Sequence, residues 1–377
     1  MSRFLVVVPP FTGHVNPVIG VAEELRDRGH EVAWAGDASV LARTLPGRWP
    51  VHDTGRAPLT PRSSGLRGFA ALEHLWERVL IPLACWMEPG VRQAVARARP
   101  DVVLTDQQAL AGALVSERAG IPWATMATTS SELVDPLAML PQLRVWLAGL
   151  LGCLRTQFGD PAAEGDLRFS PHLVVAFSTT ALVGDPVVPV HFVGPVRRRA
   201  DGGGFPWDAL DPARPKVLVT MGTENVDVSA GFLRECASAL RDRPGVQGVF
   251  ADPGHSLRDV EGAFVRVPWL PQQALLPHMA AVVCHAGHNT TCEALAQAVP
   301  LVLAPIRDDQ PVVAAQVARA GAGVRLRFSH AKAAHIGKAL DDVLTEPSFT
   351  AAARRVRDSF VAAGGACAAA DVVERLV

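Results

Sequence analysis

The run from Trp269 to Gln310, WLPQQALLPHMAAVVCHAGHNTTCEALAQAVPLVLAPIRDDQ, decides the fold. Its segment Ala281 to Cys284 is apolar with no polar alternation, the mark of a strand buried on both faces of a parallel sheet. The strand gives way to a loop, His285 to His288. A helix is predicted to begin near Asn289, whose side chain and the hydroxyls of Thr290 and Thr291 suit capping of the first turn. A helix start holds backbone N–H groups outside the helical ladder and the positive end of the dipole, so it is a natural seat for phosphate. Gly287 lets the backbone approach such a ligand closely. An ordinary strand-to-helix turn has the same form, so the surrounding residues must decide between the two.

Similar apolar runs recur at Phe4 to Val8, Val102 to Thr105, Lys216 to Thr220 and Pro300 to Ala304. Between them lie stretches of helical period: Val18 to Arg28, Ala109 to Ala119, Leu233 to Asp242, Thr290 to Ala298 and Val313 to Ala320. Parallel strands need such crossovers, and the alternation predicts an α/β, doubly wound layout. The clearest break is Pro195 to Pro215, with Arg197, Arg198 and Arg199, three glycines from Gly202, and Pro206, Pro212 and Pro215 around Trp207. On each side a strand runs through a glycine-bearing loop into a helix, FLVVVPPFTGHVN before the break and KVLVTMGTENVDVS after it. The expected organisation is an N-terminal domain over 1–195, a linker over 196–215, a C-terminal domain over 216–364 and a terminal helix over 365–377 that packs back on the N-domain.

Bulk properties narrow the function. A chain of 377 residues, 49% hydrophobic, is long and apolar enough for two packed domains. The formal net charge is -1 and no basic stripe or acidic tail stands out, which speaks against nucleic acid and membrane surfaces as partners. Cysteines at 85, 153, 236, 284, 292 and 367 show no CxxC pair, so neither a disulfide framework nor a zinc site is expected. The opening apolar stretch is too short for a signal-peptide core, and Leu137 to Leu151 is interrupted by Pro141, Gln142 and Arg144. A cytoplasmic protein, monomer or homodimer, acting on small molecules is the expectation.

Trp269, Pro271 and Gln272, followed by His285, Gly287, Asn289, Thr290 and Glu293 and then by Pro300, Pro305, Asp309 and Gln310, closely resemble the donor signature of the UDP-glycosyltransferase superfamily. The interval from Trp269 to His285 is slightly shorter than in plant members, and His288 stands where many of those have tryptophan. The resemblance implies a GT-B fold, two Rossmann-like domains facing a cleft, and points to the bacterial natural-product enzymes that glycosylate antibiotic, macrolide or aromatic polyketide aglycones. It also implies roles for individual residues. Trp269 would stack on the base with Gln272 near it, and Glu293 would accept hydrogen bonds from the ribose. Asp309 and Gln310 would grip sugar hydroxyls, while His285, the backbone after it, Thr290 and Thr291 would hold the diphosphate. Gly222 and Thr223 match a position beside the diphosphate or the acceptor. Taken singly, Trp269 is equally a packing residue and Asp309 a helix cap.

The loop PPFTGHVNPVIGVAEELRDRGHEV resembles the N-terminal signature of the same superfamily, in which the histidine, here His14, removes the acceptor's proton. An imidazole suits that task at neutral pH. Asp106, at the end of a strand, is its candidate partner; Asp101 precedes that strand, and capping of the following helix is the other reading of Asp106. Phe11, Trp76, Trp86 and Trp146 are candidates for an apolar acceptor pocket, with core packing as the alternative.

The function these residues imply is inverting, metal-independent transfer of a sugar or deoxysugar to a hydroxyl of an apolar aglycone. The dTDP- or UDP-sugar is a co-substrate, with dTDP favoured, and no further cofactor is expected. The alternatives are a non-catalytic activator subunit, against which the full donor set speaks, and a nucleotide-sugar epimerase or hydrolase on the same fold. A nicotinamide dehydrogenase is disfavoured, since no GxGxxG follows either opening strand.

Overall fold

The computed structural model describes residues 1–58, 66, 68–196, 203–222, 225–262 and 264–377. They form two compact units: Met1–Thr180 with Asp185–Arg197 and Ala363–Val377, and Ala181–Gly184 with Arg198–Ala362.

The first unit holds seven strands: β1 (Arg3–Val7), β2 (Glu31–Gly36), β3 (Val51–Asp53), β4 (Val102–Asp106), β5 (Trp123–Ala127), β6 (Leu173–Ala176) and β7 (His191–Phe192). They form one parallel sheet in the order β3-β2-β1-β4-β5-β6-β7. The second holds β8 (Lys216–Thr220), β9 (Gln247–Ala251), β10 (Phe264–Val267), β11 (Ala281–Cys284), β12 (Leu301–Leu303) and β13 (Gly323–Arg325). Their order is β10-β9-β8-β11-β12-β13, again all parallel.

The apolar runs follow from two-sided burial. In β1, Phe4 and Val6 enter one core and Leu5 and Val7 the other; in β8, Val217 and Val219 face one layer and Leu218 the opposite one. With helices on both faces, no position can be polar without losing its hydration. In each sheet the winding reverses between the first strand and its neighbour, β1 beside β4 and β8 beside β11. Loops leaving those strand ends diverge, and the crevice this creates is where open α/β sheets place ligands.

Helices begin earlier than their apolar period suggests: Thr12–Asp27 rather than Val18 onward, Val226–Arg241 rather than Leu233 onward, and Gln310–Arg319 rather than Val313 onward. Between β3 and β4 one helical run holds Gly68–Glu73, a π-helical stretch His74–Leu80, and Ile81–Ala98. No described helix is long and apolar enough to cross a membrane.

Within the segment read as a linker, 197–202 lie outside the described residues, and the part that follows packs on the second unit. Phe205 is buried in that unit's core, Trp207 stacks edge-on against His278 at 5.6 Å, and Gln247 holds the backbone at Ala209 and Asp211. The segment Ala181–Gly184 also joins this unit, through Leu182 in its core and the Arg319 guanidinium on the Leu182 and Val183 carbonyls. The helix Gly365–Val373 lies in the first unit, where Ala369, Ala370 and Val373 share a core with Val15, Ile19 and Val32.

Candidate active site

In the first unit, β1 leads through Pro9 and Pro10 into the helix Thr12–Asp27, whose N-cap is Phe11, so His14 sits in the first helical turn. Asp106 is the last residue of β4, and its side chain has no exposed surface. The switch in strand order brings the two together: Nδ1 of His14 lies 3.0 Å from both carboxylate oxygens of Asp106. Oδ1 also accepts the Gln108 N–H at 2.8 Å. The hydroxyl of Thr128, the residue after β5, donates to Oδ2 at 2.5 Å and lies 2.8 Å from Nδ1. Asp106 does not cap the next helix, Leu110–Ala119, whose N-cap is Ala109. Asp101 is at the other end of β4, bonded to the backbone and guanidinium of Arg3.

In the second unit, His285 follows β11 and its ring packs between two glycines. A Cβ on Gly222 would stand 2.7 Å from Cε1, and one on Gly287 would stand 2.4 Å from Nε2. Burial pushes the His285 pKa down to about 4; the Thr220 carbonyl opposes this, and the Arg307 charge adds to it. The imidazole is therefore neutral at pH 7 and can meet a phosphate only through a hydrogen bond. Thr223 lies outside the described residues.

The helix after this loop runs His288–Ala296 with Gly287 as N-cap and no side-chain cap. Expectation and structure differ here: Asn289, Thr290 and Thr291 lie inside the helix rather than at its N-cap. The Thr291 N–H is spent on the Gly287 carbonyl, and its fully buried hydroxyl lies by the Cys284 thiol, which removes Thr291 from any ligand surface. The Thr290 hydroxyl pairs with the Gln272 amide.

Glu293, one turn on, is held at both oxygens: Gln272 donates to Oε2 at 2.5 Å and Gln273 to Oε1 at 2.7 Å. The sequence reading missed Gln273, although the doubled glutamine in WLPQQ was visible. Trp269 is 67% exposed, too open for a packing residue. Asp309 occupies the N-cap of Gln310–Arg319 without a side-chain cap bond. Gln310 is buried, its Oε1 accepting the Ile306 and Arg307 N–H groups, so its carbonyl holds the loop and leaves only the amide nitrogen for a sugar. Arg307, also unforeseen, is a buried cation that donates to Asn225 and Asp227 and so ties the loop after β12 to the start of the helix after β8.

Of the four acceptor candidates, Trp76 is corrected. It lies on the π-helical stretch, 3% exposed, in a core with Leu80, Leu83 and Met87. Trp86 is half exposed, Trp146 donates to Glu77 and packs edge-on against Phe69, and Phe11 lies 5.8 Å from the His14 ring. Among the described residues no group of three or more His, Cys, Asp or Glu could hold a metal ion.

One chain carrying two doubly wound parallel sheets, each with candidate site residues at its switch point, has the architecture of GT-B-type glycosyltransferases. Solved structures share this architecture: the kitacinnamycin glycosyltransferase superposes with a TM-score of 0.83 at 24% identity, covering 100% of this chain and 99% of that one. The spinosyn rhamnosyltransferase, solved with spinosyn aglycone, does so at 0.78 and 25% identity, covering 99% and 100%. Residues 249–377 match the family model described as erythromycin biosynthesis protein CIII-like, C-terminal domain. The chain is 32% identical to the 4'-demethylrebeccamycin synthase of Lentzea aerocolonigenes, with 100% of both covered. It is 31% identical to the elloramycin glycosyltransferase of Streptomyces olivaceus, with 99% of this chain and 96% of that one covered. The protein belongs to the antibiotic glycosyltransferases of the GT-B type.

Proposed function

We propose that this glycosyltransferase moves a sugar from a dTDP-sugar to a hydroxyl of an apolar natural-product aglycone, with inversion and without a metal ion. The observation that carries the mechanism is the buried Asp106 carboxylate 3.0 Å from Nδ1 of His14. A carboxylate there keeps the proton on Nδ1, so Nε2 presents its lone pair to the acceptor hydroxyl. As Nε2 takes the hydroxyl proton, the oxygen attacks the anomeric carbon opposite the diphosphate. The bond to the leaving oxygen breaks and the configuration inverts, and Asp106 stabilises the imidazolium that forms.

Charge on the leaving diphosphate is met by the helix start at His288 and by hydrogen bonds from groups such as the neutral His285. Trp269 offers its open ring to the base, and Glu293, braced by two glutamines, its remaining lone pairs to the ribose. The names of two relatives, a 4'-demethylrebeccamycin synthase and an elloramycin glycosyltransferase, support the acceptor class.

His14→Ala is expected to abolish transfer while leaving the Kd for dTDP, measured by calorimetry, within about twofold of the parent, because base and donor seat lie on different units. Full turnover by that variant removes His14 from the mechanism. Transfer is also expected to persist in excess EDTA; loss of activity restored by Mg2+ refutes the metal-independent reading. Preference for UDP over dTDP in the same calorimetry overturns the donor assignment.

A further inference from the structure

We infer that Thr128 is a positioning residue for the transfer reaction, its hydroxyl setting through Asp106 how readily the His14 ring takes up a second proton. The inference rests on the reading of His14 as base and extends it to a residue that no sequence signature marked. Parallel pairing sets Asp106 opposite Met126, and Thr128 lies two residues further along the same strand path, 3% exposed.

The hydrogen bonds fix the protons. Asp106 is an acceptor only, so the Thr128 hydroxyl donates to Oδ2. With its single proton committed there, Oγ1 turns a lone pair toward Nδ1 of His14, 2.8 Å away. Nδ1 is thus faced by three acceptor oxygens, Oδ1, Oδ2 and Oγ1, and has to carry hydrogen. That leaves Nε2 bare, the form a general base needs. Two acceptors would suffice to fix this tautomer, so the hydroxyl has a second effect. By occupying a lone pair of Oδ2 it spreads the carboxylate charge and weakens its hold on an imidazolium. Thr128 therefore keeps His14 unprotonated, ready to receive the acceptor's proton.

Other charged groups lie close enough to matter. Glu132, whose carboxyl burial pushes up, feels Asp106, and it is bonded to Arg168, which also holds Asp166. None of these bonds involves Thr128, so a substitution there leaves them in place.

The test reads the imidazole directly in the free protein, without turnover. Histidine-labelled 15N protein, with the His14 signals assigned by their loss in His14→Gln, gives the tautomer and the titration midpoint. In Thr128→Val the midpoint is expected to rise by about half a pH unit or more, and in Thr128→Ser to return to the parent value. With dTDP-glucose as donor, the acid limb of kcat/KM should move the same way, kcat should fall about fivefold and the donor KM should hold. An unchanged midpoint in both Thr128→Val and Thr128→Ala overturns the proposal. Full transfer by His14→Ala instead defeats the base reading alone, since the spectra do not depend on it. Should the valine variant fail to fold, the serine and alanine variants carry the same comparison.

Discussion

At the scale of single residues, the two histidines at the switch points are set up oppositely. His14 is 19% exposed at the side chain and lies 3.0 Å from a buried carboxylate, an arrangement that favours a second proton on the ring. His285 is walled by glycines and desolvated, with its pKa near 4 against 6.5 for a free side chain. Between those values the unfolded chain binds the proton and the folded one does not. Stability therefore falls as pH drops from about 6.5 toward about 4, by on the order of 3 kcal/mol from this residue. Urea denaturation of the parent and of His285→Gln at about pH 7 and about pH 5 checks this through the slope, whatever the variant's offset. The variant is expected to lose part of the acid-induced fall; identical slopes refute the assignment.

At the scale of elements, the loops after β8 and β11 form a tight stack of backbone and ring. Gly222 has φ 71, a left-handed conformation that side chains rarely adopt, and a Cβ there also meets the His285 ring. Gly287 has ordinary dihedrals and only the steric conflict. Gly222→Ala is thus expected to cost about 1–2 kcal/mol of backbone strain beyond the displacement of the ring, and Gly287→Ala the displacement alone. Both should weaken dTDP binding at least about tenfold, Gly222→Ala more, with a larger fall in Tm for Gly222→Ala. Parent-like affinity in both variants means that the ring and the loop do not form the donor seat.

The early helix starts belong to this scale too. Thr12 to Pro17, Val226 to Phe232 and Gln310 to Val312 carry too few apolar residues to show a helical period, although Val15, Pro17, Phe232 and Gln310 are buried. Apolar period reports the burial of large apolar side chains and is blind to turns built largely of small and polar residues.

At the scale of the whole molecule, the chain ends in the unit where it began. The helix Gly365–Val373 covers the helix that carries His14: Ala369, Ala370 and Val373 are fully buried. Arg28 reaches Asp371 at 2.7 Å and Glu374 at 2.8 Å. The ion pairs are partly exposed and contribute little, so the apolar contact carries the attachment. Val373→Ala is expected to destabilise the first unit by about 2 kcal/mol, read as a fall in its thermal transition, and Arg28→Ala by less than about 1 kcal/mol. The reverse ranking identifies the attachment as electrostatic.

The amino-acid sequence by itself determined the α/β class, the family resemblance, the placing of His14 at a loop-to-helix junction and of Asp106 at a strand end, and the candidate donor run from Trp269 to Gln310. Strands buried on both faces and ligand-facing loops leave local compositional marks. Only the tertiary structure decided that Thr128 and Gln273 join the polar networks, and that Trp76 and Thr291 turn into the core. Those outcomes depend on which strands lie side by side and on which way a helical turn faces. Such facts arise from contacts between residues far apart in the chain, and no local pattern encodes them.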